Sequence, residues 1–142
     1  MTAPQTHANN REIPDVQMRV SGGGSSINAE VFMRGHPSDC DRWAQEEGAD
    51  DWAFDDIQRY FLRSEGNSIL SDGWHGTSVP LAVSNNPDPS LMTRVCVQSC
   101  QERGIPDNPD FNGPVQAGSG IYQTTTRKNH RCGLFAPGFG PP

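Results

Sequence analysis

Between Ser21 and Val31 the chain runs SGGGSSINAEV: three consecutive glycines, two serines, then Ile27, Asn28, Ala29, Glu30 and Val31. Glycine reaches φ > 0 and lets a ligand approach the main chain closely. Serine hydroxyls and backbone N–H groups can then converge on an anion where such a loop opens a helix. The chemistry this favours is the holding of a phosphate or pyrophosphate. A Gly-Ser run is also the composition of a flexible linker, so its meaning rests on its neighbours.

Other residue types capable of chemistry are sparse and scattered. Cys40, Cys96, Cys100 and Cys132 form no C-x-x-C pair and stand at no zinc-finger spacing from a histidine, which argues against a metal site. Cys96 and Cys100 lie four apart in a helix-like stretch, as two small hydrophobes of one buried face. Arg127, Lys128, His130 and Arg131 form the one basic cluster. It reads as a solvated turn between two elements in preference to a phosphate-contacting patch.

The elements that must position these residues follow from caps and periodicity. Ser25 to Met33 can start a short helix whose N-terminal dipole faces the anion. A second helix is expected from Ser38, a good cap, to Glu47, stopped by Gly48. A third covers Asp55 to Ser64, with Ile57, Tyr60, Phe61 and Ser64 along one core-facing stripe. The longest starts with Asp88 as cap and Pro89 in its first turn, presents Met92, Val95, Cys96 and Ser99 on one face, and closes at Gly104. Pro80 to Ser84 and Gly120 to Thr126 read as strands. Pro106, Pro109 and Pro114 with Asn112-Gly113 make the stretch between them a series of turns.

Composition limits the core these elements can build. Leu, Ile, Val and Phe make up about 18% of the chain, below the rough 20% at which burying enough apolar surface becomes difficult. Gly and Pro together reach about 19%, against a usual combined level of about 12%. Loops of this kind are normally held by a larger body. The net charge of −6 argues against nucleic acid as a partner. No run of about 18 apolar residues is present to span a membrane, and the polar MTAPQTHANNREIPD start has no signal core, so a cytoplasmic location is expected.

The ordered blocks Gly22 to Asn28, Arg34-Gly35-His36-Pro37-Ser38-Asp39 with Asp41-Arg42-Trp43-Ala44, Asp51 to Asn67, Trp74 to Ser84, Gly104 to Gly120 and Tyr122 to Cys132 resemble the glucose-methanol-choline (GMC) family of flavin-dependent oxidoreductases. The order and spacing are most similar to the bacterial choline dehydrogenase and alcohol dehydrogenase branch. The resemblance implies an α/β fold: part of a Rossmann-type FAD-binding domain plus the start of a substrate domain, loop-rich and incomplete. Within that frame, residues 1–35 carry the FAD-contacting loop and helix, 36–132 carry further helical and strand segments, and 133–142 form a divergent Gly/Pro tail.

The resemblance also implies roles. Gly22, Gly23, Gly24 and Ser25 would set backbone groups near FAD, with Asn28, Ala29, Glu30 and Val31 alongside the flavin. Some members carry, at the position of Ile27, a histidine that bonds covalently to the ring. Isoleucine has no such nitrogen, so noncovalent FAD is expected. Ser21 and Gly24 depart from the apolar residue and the Ser or Thr common at their positions. No G-x-G-x-x-G fingerprint occurs in this sequence, and His7, His36, His75 and His130 do not match the family's catalytic histidine, so no catalytic residue is assigned. His36 and His75 are expected to serve structure.

The chain therefore looks like an internal slice of an enzyme that oxidises a small-molecule alcohol or choline, itself expected to be inactive. A frameshift or truncated reading frame would account for the GLFAPGFGPP end. Two other readings stay open: a nonfunctional, partly disordered remnant, and a small nucleotide-phosphate-binding module, though the P-loop lysine is missing.

Overall fold

The computed structural model describes residues 1–78 and 81–133. Proline and histidine start the first helix. Pro37 takes the first helical position of α1, Pro37–Glu46, and the His36 ring accepts the Ser38 N–H at 3.2 Å, so the cap is His36, with Ser38 already inside the helix. Gly48, at φ +73°, follows the end of α1 as expected. α2, Phe54–Ser64, begins one residue earlier than the sequence suggests, because Asp41 Oδ1 on α1 accepts the Phe54 N–H at 3.0 Å. That bond ties the two helices together, and Trp43 meets Trp52 edge-on at 6.3 Å beside it.

Helix α2 runs directly into β1, Glu65–Asn67, which pairs in parallel with β2, Leu81–Val83. Of the expected strand from Pro80, the proline lies outside the described residues. Gly76 makes the return between β1 and β2 possible. A Cβ there would stand 1.9 Å from the Leu62 carbonyl oxygen.

α3, Leu91–Glu102, is capped by Ser90, whose hydroxyl accepts the Thr93 N–H at 3.1 Å. The expected cap at Asp88 is not used: the helix starts two residues past Pro89, and Asp88 lies in an Asx turn, its N–H donating to Asn86 Oδ1 at 3.1 Å. Gly104, at φ +85°, closes the helix with the Gly104 N–H to Gln101 O and Ile105 N–H to Cys100 O bonds of a Schellman motif. The face expected to pack, Met92, Val95, Cys96 and Ser99, points to solvent. Val97 and Cys100 lie on the half-buried side instead.

Two further expectations are corrected. No helix spans Ser25 to Met33: a 3-10 turn covers Gly23–Ser26 and the chain then extends. The reason is long-range pairing. The Thr125 N–H donates to Glu30 O at 2.8 Å and the Phe32 N–H to Gln123 O at 2.9 Å, and Val31 bridges Thr124, which also bridges Ser84. The strand expected over Gly120–Thr126 is reduced to that bridge at Thr124 and to β3, Thr126–Arg127. β3 pairs antiparallel with β4, His130–Arg131, across a Lys128-Asn129 turn with positive φ at both residues.

Among the described residues the interior is more polar than apolar. Buried apolar residues are Cys40, Phe54, Ala82, Val83, Phe111 and Cys132; buried polar ones are Arg34, Glu65, Asn67, His75, Asn108, Asn112, Gln123 and Thr125. Of the stripe expected along α2, Ile57 and Phe61 are half-buried and Ser64 is exposed. Tyr60 is 54% exposed under the Arg59 guanidinium. Among the described residues no helix is long and apolar enough to cross a membrane.

Candidate functional site

The glycine-serine loop closes largely on itself. Gly22, at φ +91°, turns the chain, and the amides of Gly23, Ser25, Ile27 and Asn28 donate to carbonyls of Val20, Gly22 and Gly24. The Ser25 hydroxyl donates to Gly22 O and the Ser26 hydroxyl to Ser21 O, both at 2.7 Å. The loop is thus a preformed, hydrogen-bonded bend, and the helix start expected to face an anion is absent. A Cβ added at Gly23 or Gly24 would meet none of the described residues within 4 Å. Among the described residues, that side of the bend is open to a flat group approaching the main chain.

Beyond the bend, Asn28 Oδ1 accepts the Glu30 N–H at 3.2 Å, and Glu30 takes a left-handed φ of +63°. Ala29 and Glu30 line a cleft of about 340 Å³ together with Asn86, Pro87, Thr124, Thr126, Asn129 and Arg131. Of the residues expected to meet a cofactor, Ala29 and Glu30 therefore face a shared polar cleft, with Asn28 and Val31 beside them in the chain. Gly22 to Ser25 form the bend that leads in. The basic cluster divides: Arg127, Lys128 and His130 are exposed as a solvated turn requires, whereas Arg131 folds back onto the bend.

Below this surface lies a buried charged network that sequence spacing does not reveal. Arg34 pairs with Glu65, both side chains being almost fully buried. Glu65 Oε1 also accepts from His75 Nδ1 at 2.9 Å, and His75 Nε2 faces Asp110 Oδ2 at 3.0 Å. Only an imidazolium donates from both ring nitrogens, so carboxylates facing both of them favour the charged form of His75. Burial by itself drives the His75 pKa down, but the hydrogen bonds to Glu65 and Asp110 outweigh it and the net shift is upward. Arg34 Nε and Nη1 find no hydrogen-bond partner among the described residues, and the guanidinium lies 5.4 Å from the centre of the Phe61 ring.

This network carries the loop. The Arg34 N–H donates to Asn112 Oδ1 at 2.8 Å, and the Asn112 amide donates to Phe32 O at 3.1 Å. One asparagine side chain thereby stands in for a neighbouring strand, fixing the extended segment that leaves the bend. Asn67 links the same network to Gln123 at 2.9 Å, next to the strand-like residues that pair with Glu30 and Phe32. Sequence reading gave His75 a structural role and Asn112 a place in a turn, and linked neither to Glu65 or Asp110. An Asn-Pro-Asp-Phe-Asn-Gly stretch signals turns, and nothing local signals that Asp110 and Asn112 reach partners 35 and 78 residues away.

No group of three or more His, Cys, Asp or Glu suited to a metal ion occurs among the described residues. Cys40 is buried on α1, and its thiol pKa is raised by that burial and by the neighbouring Asp41 and Asp39 charges.

Comparison with known proteins matches residues 5–136 to the sequence profile of the GMC oxidoreductase family. The oxygen-dependent choline dehydrogenase of Sinorhizobium fredii is 39% identical over 131 residues, covering 92% of this chain and 24% of that protein. Among solved structures, pyridoxine 4-oxidase from Mesorbium loti superposes with a TM-score of 0.78 at 27% identity, over 89% of this chain and 25% of that one. An FAD-dependent oxidoreductase from Chaetomium thermophilum gives 0.77 at 26% identity, over 93% and 25%. The chain spans about a quarter of the length of the relatives it matches.

Proposed function

Since this chain belongs to the GMC oxidoreductase family, we propose that it supplies one wall of the FAD site of an enzyme oxidising the CH–OH group of a small alcohol, with choline as the first candidate. The observation that carries this reading is the 39% identity to a choline dehydrogenase over 131 residues, joined to a bend whose glycine face stands open among the described residues. In this proposal the whole chain is one part of the cofactor domain, with residues 1–35 contributing the flavin-facing surface.

The residues fit such a group. Among the described residues, Gly23 and Gly24 present main chain without side chains in the way, and Ala29 and Glu30, flanked by Asn28 and Val31, line a cleft. Gly22 and Ser25 hold the turn. When bound, flavin would accept hydride from the alcohol carbon. This chain's own part is to bind and orient the cofactor. His75 is locked between two carboxylates and His36 caps α1, and the proton from the alcohol is not assigned to a residue here.

Titration of FAD into the protein, read as quenching of flavin fluorescence, should give a saturable curve that ADP does not reproduce; no quenching, or equal competition by ADP, would sink the reading. The bound flavin is expected to be noncovalent, because Ile27 offers no nucleophile. After trichloroacetic acid precipitation the yellow colour should stay in the supernatant. Adding choline to the FAD-loaded 142-residue chain should not bleach the flavin absorbance, since the chain supplies a wall and no assigned base.

A further inference from the structure

The acceptors gathered by Arg131 set it apart from its basic neighbours. Nη1 donates to Asn28 O at 2.8 Å and to the Asn28 side-chain oxygen, and it reaches Ser25 O at 3.4 Å. Nη2 pairs with Glu30 Oε1 at 2.9 Å. One guanidinium therefore bridges three residues of the bend from β4, more than a hundred positions away in sequence. A planar fork with five donors can do this; a lysine ammonium offers a single point of charge.

What it bridges is the strained part of the loop. Glu30 sits at φ +63°, a conformation a non-glycine residue holds only when its surroundings impose it. Two long-range restraints act on it: Arg131 on the carboxylate, and the Thr125 N–H on the carbonyl at 2.8 Å. Turning Glu30 back to a negative φ would break both.

We propose that Arg131 is a positioning residue for the flavin-facing wall, clasping the segment from Ser25 to Glu30 in the single backbone conformation that presents it to the cofactor. This rests on the flavin reading above for its purpose, but the clasp itself is a property of this chain. It makes the β3–β4 hairpin part of the binding apparatus and leaves Arg127, Lys128 and His130 as its solvated tip.

Arg131→Gln, Arg131→Lys and Glu30→Gln separate the possibilities by hydrogen–deuterium exchange of the full chain and by FAD titration. In Arg131→Gln, amides from Ser26 to Val31 should exchange about tenfold faster or more, while those of α1 and α2 keep wild-type rates. FAD affinity should fall in parallel. Arg131→Lys should recover only part of both effects, and Glu30→Gln, which leaves the hairpin untouched, should reproduce the faster exchange in weaker form. Unchanged exchange from Ser26 to Val31 in Arg131→Gln overturns the clasp. Faster exchange with FAD affinity unchanged overturns the positioning role. Faster exchange in a protein whose wild type binds no FAD supports the clasp and overturns the flavin reading. Should Arg131→Gln also lose protection in α1 and α2, Glu30→Gln decides: wild-type exchange in its bend overturns the clasp, and local loosening supports it.

Discussion

Gly24 has neither a left-handed φ nor, among the described residues, any atom within 4 Å of where its Cβ would lie. None of the described residues demands glycine there, in contrast to Gly22, whose φ of +91° and 2.5 Å approach to Ser26 Oγ do. Gly24→Ser is therefore expected to leave thermal stability within about 0.5 kcal/mol of wild type, while Gly22→Ala costs clearly more; a melt of each variant checks the contrast. The cysteines divide in a similar way. Cys96, expected on a buried face, is exposed, whereas Cys40 is buried with its thiol pKa pushed up. Timed iodoacetamide labelling with mass spectrometry should find Cys96 modified well before Cys40.

At the scale of elements, the return from β1 to β2 depends on Gly76 packing flat against the end of α2. Adding one methyl would drive a carbon into the Leu62 carbonyl, which is main chain and cannot rotate aside. Gly76→Ala should lose about 1–3 kcal/mol of stability in urea unfolding. A loss below about 0.5 kcal/mol would mean this packing is wrong. The helices themselves were legible: the Gly48 stop of α1, the acidic start of α2 and the Gly104 stop of α3 are local signals, and boundaries moved by no more than three residues, the cap of α1 shifting from Ser38 to His36. The stretch from Ser25 to Met33 was not legible as extended chain. Its apolar spacing suits a short helix, and the partner that overrides that propensity, residues 123–125, lies about ninety residues downstream. The network of Arg34, Glu65, His75 and Asp110 was hidden for the same reason, since each member comes from a different segment and carries no local pattern. The residues expected around the flavin came from family resemblance, while the clasp on them is visible only in three dimensions.

For the molecule as a whole, His75 is the pin between β1 and the Asp110 loop, with Arg34 on the far side of Glu65. Its pKa is raised in the folded state above the ordinary 6.5. The stabilisation it brings is thus fully present below about pH 6.5 and is lost as pH rises through the elevated folded value. Chemical denaturation across pH 6 to 9 should show stability declining on the alkaline side for wild type. In His75→Gln that particular decline should vanish, with a loss of about 3 kcal/mol at the acidic end because two carboxylates lose their shared cation. A wild-type profile flat through this range would contradict the arrangement.

An interior in which, among the described residues, polar side chains outnumber apolar ones also has a thermal signature. The heat-capacity increment of unfolding grows with newly wetted hydrocarbon and shrinks with newly wetted polar groups, so calorimetry on this chain should record a step below the usual ~12–15 cal/mol/K per residue. Its free-energy dome would then be shallow and broad, changing little between a cold room and a warm laboratory.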